Sequence, residues 1–280
     1  MDDSRTNGHY GPSMETLKIA IEDGIATVRL NRPKVKNAMS LEMMDELYQA
    51  GLDLAEDRSL RAVILTGGDA VFCAGIDVNV IMASAQNMDG LKEQIASSIN
   101  NKIGNKFQAP ITVWATLPVP VIAALNGHCI GAGMQLALGA DFRIASPDTK
   151  LSILEAKWGL IPDMGISQSL PKLMRADVAK ELIMTGRMLE AAEAQRIGLI
   201  TRIADDPIAA AVEMAEGFKS FSPDAVAQSK RLVDQIWGAD EAAMKTEADL
   251  QLEIIGGANQ MNKAMASFSK SNPSFKDRSV

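Results

Sequence analysis

Cysteine, histidine and long apolar runs are scarce in this 280-residue sequence, and each shortage excludes a class of protein. The two cysteines, Cys73 and Cys129, form no Cys-x-x-Cys pair, so we expect reduced thiols rather than a disulfide framework or a thiolate metal site. Only His9 and His128 are present, which disfavours the Ser-His-Asp and Cys-His arrangements of hydrolases. No apolar run reaches about 18 residues and no signal-peptide pattern opens the chain, so we expect a cytoplasmic protein without membrane contact.

Positive charge is limited as well. Lysine and arginine number 28 against 35 acidic residues, which gives a net charge of −7 and a pI near 5.0. Nucleic-acid binding and docking to anionic membranes both need a positive field, so we expect neither. Gly127, Gly131 and Gly133 do not fit Gly-x-Gly-x-x-Gly, and no phosphate-loop spacing occurs, so no nucleotide cofactor and no metal is expected. The 47% hydrophobic content predicts a globular protein with a full core.

The first patterned segments predict a hairpin and a capped helix. Residues 1–13 are polar and turn-rich, and we expect them to form a disordered tail. Two alternating stretches flank Asp23 and Gly24, which is typical of a β-hairpin. Ser40 stands where it can cap a helix that runs to about Glu56.

Strand and helix patterns then recur, which predicts a layered α/β core over 14–204 and a helical region over 205–280. We expect strands over 61–66, 119–125 and 141–145, and helices over 106–117, 131–138, 207–221, 223–237, 241–255 and 258–268. The methionine-rich faces of the last helices suit packing within the chain or against another subunit, and we favour an oligomer. The polar stretch 82–108 is predicted to be a loop that covers the substrate.

Two glycine-containing segments, 72–77 and 126–135, each follow a β-branched run and open into a helical pattern. Such a position leaves backbone N–H groups without partners at a helix N-terminus, where negative charge is stabilised. Two such segments could share one oxyanion. That arrangement suits a thioester carbonyl that becomes an enolate, a charge change that each preorganised amide can favour by about 3–4 kcal/mol.

Glu155 and Asp163 flank a glycine- and proline-containing turn in an otherwise apolar neighbourhood. A carboxyl group in such surroundings can have its pKa raised towards neutrality and can then shuttle a proton. The alternative is structural: Glu155 starts a helix, and Asp163 caps a helix that begins near Met164. Glu155 is the stronger catalytic candidate.

Taken together, six segments resemble the enoyl-CoA hydratase/isomerase (crotonase) superfamily in order and spacing, from about Leu17 to Arg278. They are 30–38 (Leu-Asn-Arg-Pro-Lys-Val-Lys-Asn-Ala), 72–77 (Phe-Cys-Ala-Gly-Ile-Asp), 126–135 (Asn-Gly-His-Cys-Ile-Gly-Ala-Gly-Met-Gln), 155–165, 265–268 and 275–278. The resemblance implies a spiral of ββα units with a C-terminal helical oligomerisation region, assembled as a homotrimer or homohexamer. It also implies an acyl-CoA substrate, with coenzyme A as part of the substrate rather than a separate cofactor.

The resemblance assigns roles by position. The two oxyanion amides would be those of Ile76 and Ala132, and Ala132 in place of the family's glycine still carries its N–H. The implied coenzyme A and substrate contacts are Arg32, Lys34, Val35, Lys36, Ala38, Ala74, Gly75, Asp77, Gly131, Gln135, Phe275 and Lys276. Cationic side chains suit phosphates, although Lys34 and Lys36 could equally form a solvated loop, and Lys36 stands where the family commonly has an apolar residue.

One departure from the family bears on the reaction. Typical hydratases carry two glutamates, of which the first aligns with Gln135 and the second with Glu155. An amide cannot be a general acid or base, although it can hydrogen-bond water or substrate. Asp163 stands where hydratases have glycine and dienoyl-CoA isomerases have aspartate. We expect Glu155 to be the principal acid/base, Asp163 to transfer a second proton or orient water, and Gln135 to position substrate.

These positions slightly favour double-bond isomerisation over hydration, and other functions stay open. A non-catalytic CoA-ester binder would keep the two glycine-containing segments without needing both carboxylates. A serine peptidase of related fold is disfavoured because neither segment contains a serine and no usable histidine is present. RNA binding, known among superfamily relatives, is disfavoured by the acidic balance.

Overall fold

The structure is a computed structural model that describes residues 14–100, 103–221, 223–236, 244–245, 248–249, 251–252, 255–271 and 273. The predicted tail over 1–13 lies outside the described residues, and so do Phe275 and Lys276.

Two sheets lie at the centre of the fold. The strands are β1 (Leu17–Glu22), β2 (Ile25–Leu30), β3 (Ala62–Thr66), β4 (Val121–Leu125), β5 (His128–Ile130), β6 (Phe142–Ala145), β7 (Lys150–Ser152), β8 (Leu189–Glu190) and β9 (Arg202–Ile203). The larger sheet has the order β1-β2-β3-β4-β6-β9, and the smaller has the order β5-β7-β8. The β1–β2 pair is antiparallel, while the other neighbours in the larger sheet are parallel.

The predicted hairpin is confirmed. Asp23 and Gly24 both have positive φ, at 48° and 78°, as the tight turn between two strands requires. The turn places Leu17 opposite Leu30, and both are buried in the core. The parallel strands β3 and β4 are buried at every position, which explains their continuous apolar sequences.

Helices cover both faces of the larger sheet and surround the smaller one. They are α1 (Leu41–Glu56), α2 (Val78–Gln86), α3 (Met88–Ala96), α4 (Ala109–Thr116), α5 (Ala132–Leu138), α6 (Ile166–Ser169), α7 (Ala176–Thr185), α8 (Ala191–Arg196), α9 (Pro207–Lys219), α10 (Pro223–Ile236) and α11 (Ala258–Ser269), with short 3₁₀ helices at Pro33–Val35, Glu155–Trp158 and Leu170–Lys172. Ser40 caps α1 as predicted, because its Oγ accepts a hydrogen bond from Met43 N at 3.2 Å. The α/β fold class is thus confirmed.

The first helix of the predicted C-terminal region packs directly on the sheet. Ala211 and Ala215 of α9 are fully buried in one cluster with Ile64, Ile122 and Ile144 of the strands. Small side chains on the helix let it approach the sheet closely, and the branched side chains of the strands fill the contact. The sheet itself ends with β9, one residue before the predicted boundary.

The segment 82–108 is helical over 82–86 and 88–96, so the prediction of a loop is wrong there, whereas 97–100 and 103–108 form no helix. It contains the end of α2 and all of α3, and Asn87 caps α3 by accepting a hydrogen bond from Gly90 N at 3.1 Å. A Cβ on Gly90 would lie 2.5 Å from Asn87 Nδ2, so the glycine makes room for the cap. Part of the polar composition that suggested a loop belongs to the cap Asn87 and to exposed positions of the two helices, whereas Asn105 and Gln108 lie beyond them and are buried.

The last described helix packs on its own chain. The rings of Phe268 in α11 and Trp158 meet edge to face with centroids 5.2 Å apart. Ser267 Oγ donates to Lys157 O at 2.6 Å. This methionine-rich helix therefore contacts its own chain, while Met261 and Met265 stay 38% and 62% exposed, and packing against another subunit stays a prediction. Within the described part of the chain, no helix combines the length and apolar content needed to cross a membrane.

Candidate active site

The first glycine-containing segment forms a turn that enters α2. Gly75 has φ 104°, a conformation that a side chain would strain. Its carbonyl accepts a hydrogen bond from Met39 N at 2.8 Å, and Asp77 N donates to Met39 O at 2.9 Å. Between these two bonds lies Ile76, whose N–H donates to no other described residue. Contact of this amide with a substrate oxygen stays a prediction.

Asp77 and Arg32 hold this turn in place. Asp77 Oδ1 accepts from Asn79 N at 2.9 Å and thereby caps α2, while Arg32 Nη1 lies 2.9 Å from Asp77 Oδ2. Burial works to raise the pKa of Asp77, but the Asn79 N–H and the Arg32 guanidinium outweigh it and keep the pKa below its usual value. The two predicted substrate contacts therefore bind each other, and coenzyme A contact at either stays a prediction.

Asn37 fixes the neighbouring turn and was missed by the sequence analysis. It is only 2% exposed, and its Nδ2 donates to Gly67 O at 3.1 Å and to Val71 O at 2.8 Å. Its φ is 54°, and asparagine tolerates a positive φ better than most residues. An asparagine in a turn was therefore the sequence signal for this position. The turn carries three exposed predicted substrate contacts, Lys34, Val35 and Lys36, on the protein surface beside half-buried Ala38.

The second glycine-containing segment lies beside the first. Gly131 has φ 55°, its N–H donates to Ser152 O at 2.9 Å, and α5 begins at the next residue, Ala132. The Ala132 N–H is at the first helical position and has no partner within the helix. A Cβ on Gly131 would lie 3.9 Å from Gly75 Cα, so the two turns are in contact.

A backbone β-bridge between two cysteines connects the segments that lead into the two turns. Cys73 and Cys129 are partners in an isolated parallel β-bridge, in which Cys73 N donates to His128 O at 2.9 Å and Ile130 N donates to Cys73 O at 3.1 Å. Gly133 fits against this pair, since a Cβ there would lie 2.6 Å from Cys73 Cβ. Both thiols are free and buried, and burial raises the pKa of Cys73 to about 12. They are small core residues, as predicted, rather than nucleophiles.

The Glu155 carboxylate reaches the second turn. Glu155 is the first residue of a 3₁₀ helix, and its Oε1 lies 3.6 Å from the position that a Cβ on Gly131 would take. The same oxygen accepts a hydrogen bond from Gln135 Nε2 at 2.8 Å. Gln135 Oε1 in turn accepts from Met164 N at 2.8 Å. Sequence reasoning missed this link, in which the Gln135 amide contacts the catalytic candidate.

Asp163 does not occupy the predicted capping position. Helix α6 begins at Ile166 with Gly165 as its N-cap, so Asp163 stands two residues before the cap. Asp163 instead lines the same cavity as Glu155 and Gln135.

One cavity of about 630 Å³ brings the predicted centre together. Its wall includes Ile76, Ala132, Gln135, Glu155 and Asp163, together with Ala74, Gly75 and Gly131. The rest is largely apolar, with Met82 and Met88 from α2 and α3, Trp158, and Met261, Met265 and Phe268 from α11. Helices α2 and α3 thus line the cavity, and a role of 82–108 in covering the substrate stays a prediction. Among the described residues, no group of His, Cys, Asp and Glu side chains could hold a metal ion.

The arrangement can stabilise an oxyanion and move a proton. Two adjoining turns contribute Ile76 and Ala132 to the wall of one cavity, and the Glu155 carboxylate lies beside the second turn among apolar side chains. In such surroundings an amide–oxyanion hydrogen bond is stronger than in water. The apolar remainder of the cavity suits a hydrocarbon chain attached to the reacting carbonyl.

Comparisons with known proteins identify the family. Residues 20–278 match the family model described as enoyl-CoA hydratase/isomerase. A probable enoyl-CoA hydratase of Rhizobium meliloti is 32% identical over 272 residues, covering 95% of this chain and all of that protein. A putative enoyl-CoA hydratase/isomerase of Bacillus subtilis is 35% identical over 214 residues, covering 75% of this chain and 78% of that protein.

Comparison with solved structures leads to the same family. The crystal structure of an enoyl-CoA hydratase/isomerase from Pseudoalteromonas atlantica superposes with a TM-score of 0.80 at 28% identity, covering 94% of this chain and all of that one. Since the family model spans most of the chain and the relatives are similar over most of its length, the chain is an enzyme of the enoyl-CoA hydratase/isomerase family, in the crotonase superfamily.

Proposed function

We propose that this enzyme moves a double bond in enoyl-CoA thioesters, with Glu155 as the principal acid/base. The observation that carries the proposal is the position of the Glu155 carboxylate, beside the second oxyanion turn and inside the apolar cavity. A substrate whose thioester oxygen accepts from the Ile76 and Ala132 amides would have its C2 carbon within the same cavity.

The reaction then proceeds in two proton transfers. Glu155 removes a proton from C2 of a 3-enoyl-CoA, and the electron pair passes into the conjugated enolate, whose oxygen the two amides hold. A proton delivered to C4 gives the trans-2-enoyl-CoA. We assign this second transfer to Asp163, which lines the same cavity.

Coenzyme A would lie at the surface end of this site. Lys34 and Lys36 are exposed on the turn beside the first oxyanion segment, where they could meet its phosphates. We retain Arg32, Val35, Ala38, Asp77, Phe275 and Lys276 as proposed contacts. The pantetheine thioester would pass Ala74, Gly75 and Gly131, which line the cavity.

Hydration of a trans-2-enoyl-CoA is the second candidate. It is favoured by the name of the Rhizobium meliloti relative, a probable enoyl-CoA hydratase. In that reaction Glu155 would activate water for attack on C3, and Asp163 would orient it. Gln135 counts against hydration because an amide cannot supply the second proton transfer.

We expect incubation in deuterated water to separate the two reactions. Purified enzyme is given trans-2-enoyl-CoA, 3-enoyl-CoA and 3,5-dienoyl-CoA of one chain length, and products are followed by mass spectrometry. Isomerisation predicts that 3-enoyl-CoA becomes trans-2-enoyl-CoA with deuterium exchange and no gain of water. A water adduct as the main product would replace isomerisation with hydration, and no reaction of any ester would contradict both.

Asp163→Asn is expected to separate proton removal from proton return. Because Glu155 still takes the C2 proton, exchange at C2 should persist, while the rate of isomer formation should fall by about 10²-fold or more. The measurement is the ratio of C2 deuterium exchange to product in deuterated water. Asp205→Asn, at an exposed position, is the matched control. An unchanged ratio and rate would remove Asp163 from this role and leave Glu155 as the only proton carrier.

We also propose a cytoplasmic homotrimer or homohexamer. Support comes from apolar side chains at the surface of the C-terminal part of the chain: Phe221 before α10, and Leu232 and Val233 in α10, are all more than half exposed in the single chain. The two free cysteines are compatible with a reducing compartment.

A further inference from the structure

The Gln135 side chain lies between Glu155 and the backbone at Met164. The side chain is 1% exposed and belongs to α5, directly after the second oxyanion turn. Its Nε2 donates to Glu155 Oε1 at 2.8 Å, and its Oε1 accepts from Met164 N at 2.8 Å. The opposite amide orientation would set oxygen against the carboxylate and NH₂ against the Met164 N–H, so these two partners fix the orientation.

We propose that Gln135 is a positioning residue, whose uncharged amide holds the Glu155 carboxylate against the oxyanion turns without adding a second titratable group at that contact. This inference rests on the proposed function, in which Glu155 is the base. It differs from the sequence prediction that Gln135 positions the substrate.

An amide at position 135 matters because of what surrounds the Glu155 carboxylate. Of the described residues that line the cavity, only Glu155 and Asp163 have titratable side chains, and those from α2, α3 and α11 are uncharged. A hydrogen-bond donor stabilises the ionised form of a carboxylate. A second carboxylate at 2.8 Å would instead force the pair to share a proton. With glutamine at position 135, the contact to Glu155 Oε1 adds no second titratable group.

The variant Gln135→Glu tests the role of the uncharged amide, because it changes the charge of the side chain and hardly its shape. The new carboxylate keeps an oxygen that can accept from Met164 N, so the altered contact is the one to Glu155. We expect the acid limb of the pH profile of kcat/KM for isomerisation to move up by about one pH unit or more, and kcat/KM at about pH 6 to fall at least about tenfold. An acid limb at the wild-type pH would overturn the proposal.

Gln49→Glu is the matched control. Gln49 Nε2 also donates to a carboxylate, Asp53 Oδ1, at 2.7 Å, but on the exposed face of α1. Solvent screens that pair, so we expect the pH profile of this variant to overlay that of the wild type.

Thermal unfolding provides a readout that does not need turnover. A carboxyl group whose pKa is raised by folding stabilises the protein while protonated, and this stabilisation is lost as pH rises through the raised pKa. The Tm of Gln135→Glu relative to wild type should therefore fall between about pH 5 and about pH 8. For Gln49→Glu the difference should change little. A pH-independent difference for Gln135→Glu would overturn the proposal even if wild-type turnover were absent.

Exchanging the two groups completes the test. Gln135→Glu combined with Glu155→Gln again places one amide against one carboxylate. We expect the pH-dependent loss of Tm to disappear in the double variant, because the repulsion between two carboxylates is gone. A double variant with the same pH-dependent loss as Gln135→Glu alone would show that the loss has another origin, and would overturn the proposal.

Discussion

Replacing Glu155 with glutamine is expected to lower kcat for isomerisation by about 10²–10⁴-fold. The amide has nearly the shape of the carboxylate but cannot accept and return a proton at the carbon next to the thioester. The oxyanion amides and the surface turn that is proposed to hold coenzyme A are unaltered, so the KM should stay within about tenfold of wild type. Deuterium exchange at C2 should be lost together with turnover, unlike the result expected for Asp163→Asn.

The control for this variant is Glu22→Gln, at an exposed position at the end of β1. It should keep the wild-type rate and exchange. Turnover of Glu155→Gln within about tenfold of wild type would contradict the role of Glu155 as principal acid/base. Tight binding of enoyl-CoA by a wild-type protein that turns over none of the esters would instead point to the non-catalytic CoA-ester binder.

Replacing Ala132 with proline should remove one oxyanion donor and lower kcat by about 10²–10³-fold. Ala132 is the first residue of α5, a position where proline is tolerated because its missing N–H has no helical partner. The loss should therefore fall on the enolate rather than on the helix. Both kcat and kcat/KM should drop, since the developing charge exists only along the reaction path.

Ala132→Gly is the comparison that isolates the amide. It also changes the side chain and the local flexibility but keeps the N–H, so it should retain most of the activity that Ala132→Pro loses. Circular dichroism and Tm should report folded protein for both variants. Equal, severe losses in the two would mean that the side chain or the start of α5 matters rather than the hydrogen-bond donor.

The parts of the fold predicted correctly are those encoded by neighbouring residues. The β1–β2 hairpin needs only the Asp23-Gly24 turn and alternating side chains, and α1 needs only Ser40 and an apolar stripe. The loop prediction for 82–108 failed over α3 because Asn87 is the cap of that helix. Asparagine is common both in helix caps and in loops, so the sequence alone does not distinguish the two. The packing of α9 on the sheet depends on contacts between distant segments, which local patterns do not contain.

The candidate site divides in the same way. The oxyanion turns and Glu155 lie in short motifs, and the structure brings them to one cavity as expected. The hydrogen bonds of Gln135 join α5 to residues 20 and 29 positions further along the chain, so no local pattern specifies them. Likewise, Asn37 bonds to carbonyls that lie 30 and 34 residues away. Motif and family resemblance give the positions, and only tertiary structure gives the partners.

The bridge between Cys73 and Cys129 has a consequence for the thermodynamics of substrate binding. Each cysteine lies three residues before one proposed donor, Ile76 or Ala132, and the bridge fixes the two short segments in register. The donors thus belong to one rigid unit rather than to two independent loops. The two donors are ordered when the chain folds. Binding of the enolate therefore does not have to order them, and its affinity is not lowered by that loss of conformational entropy.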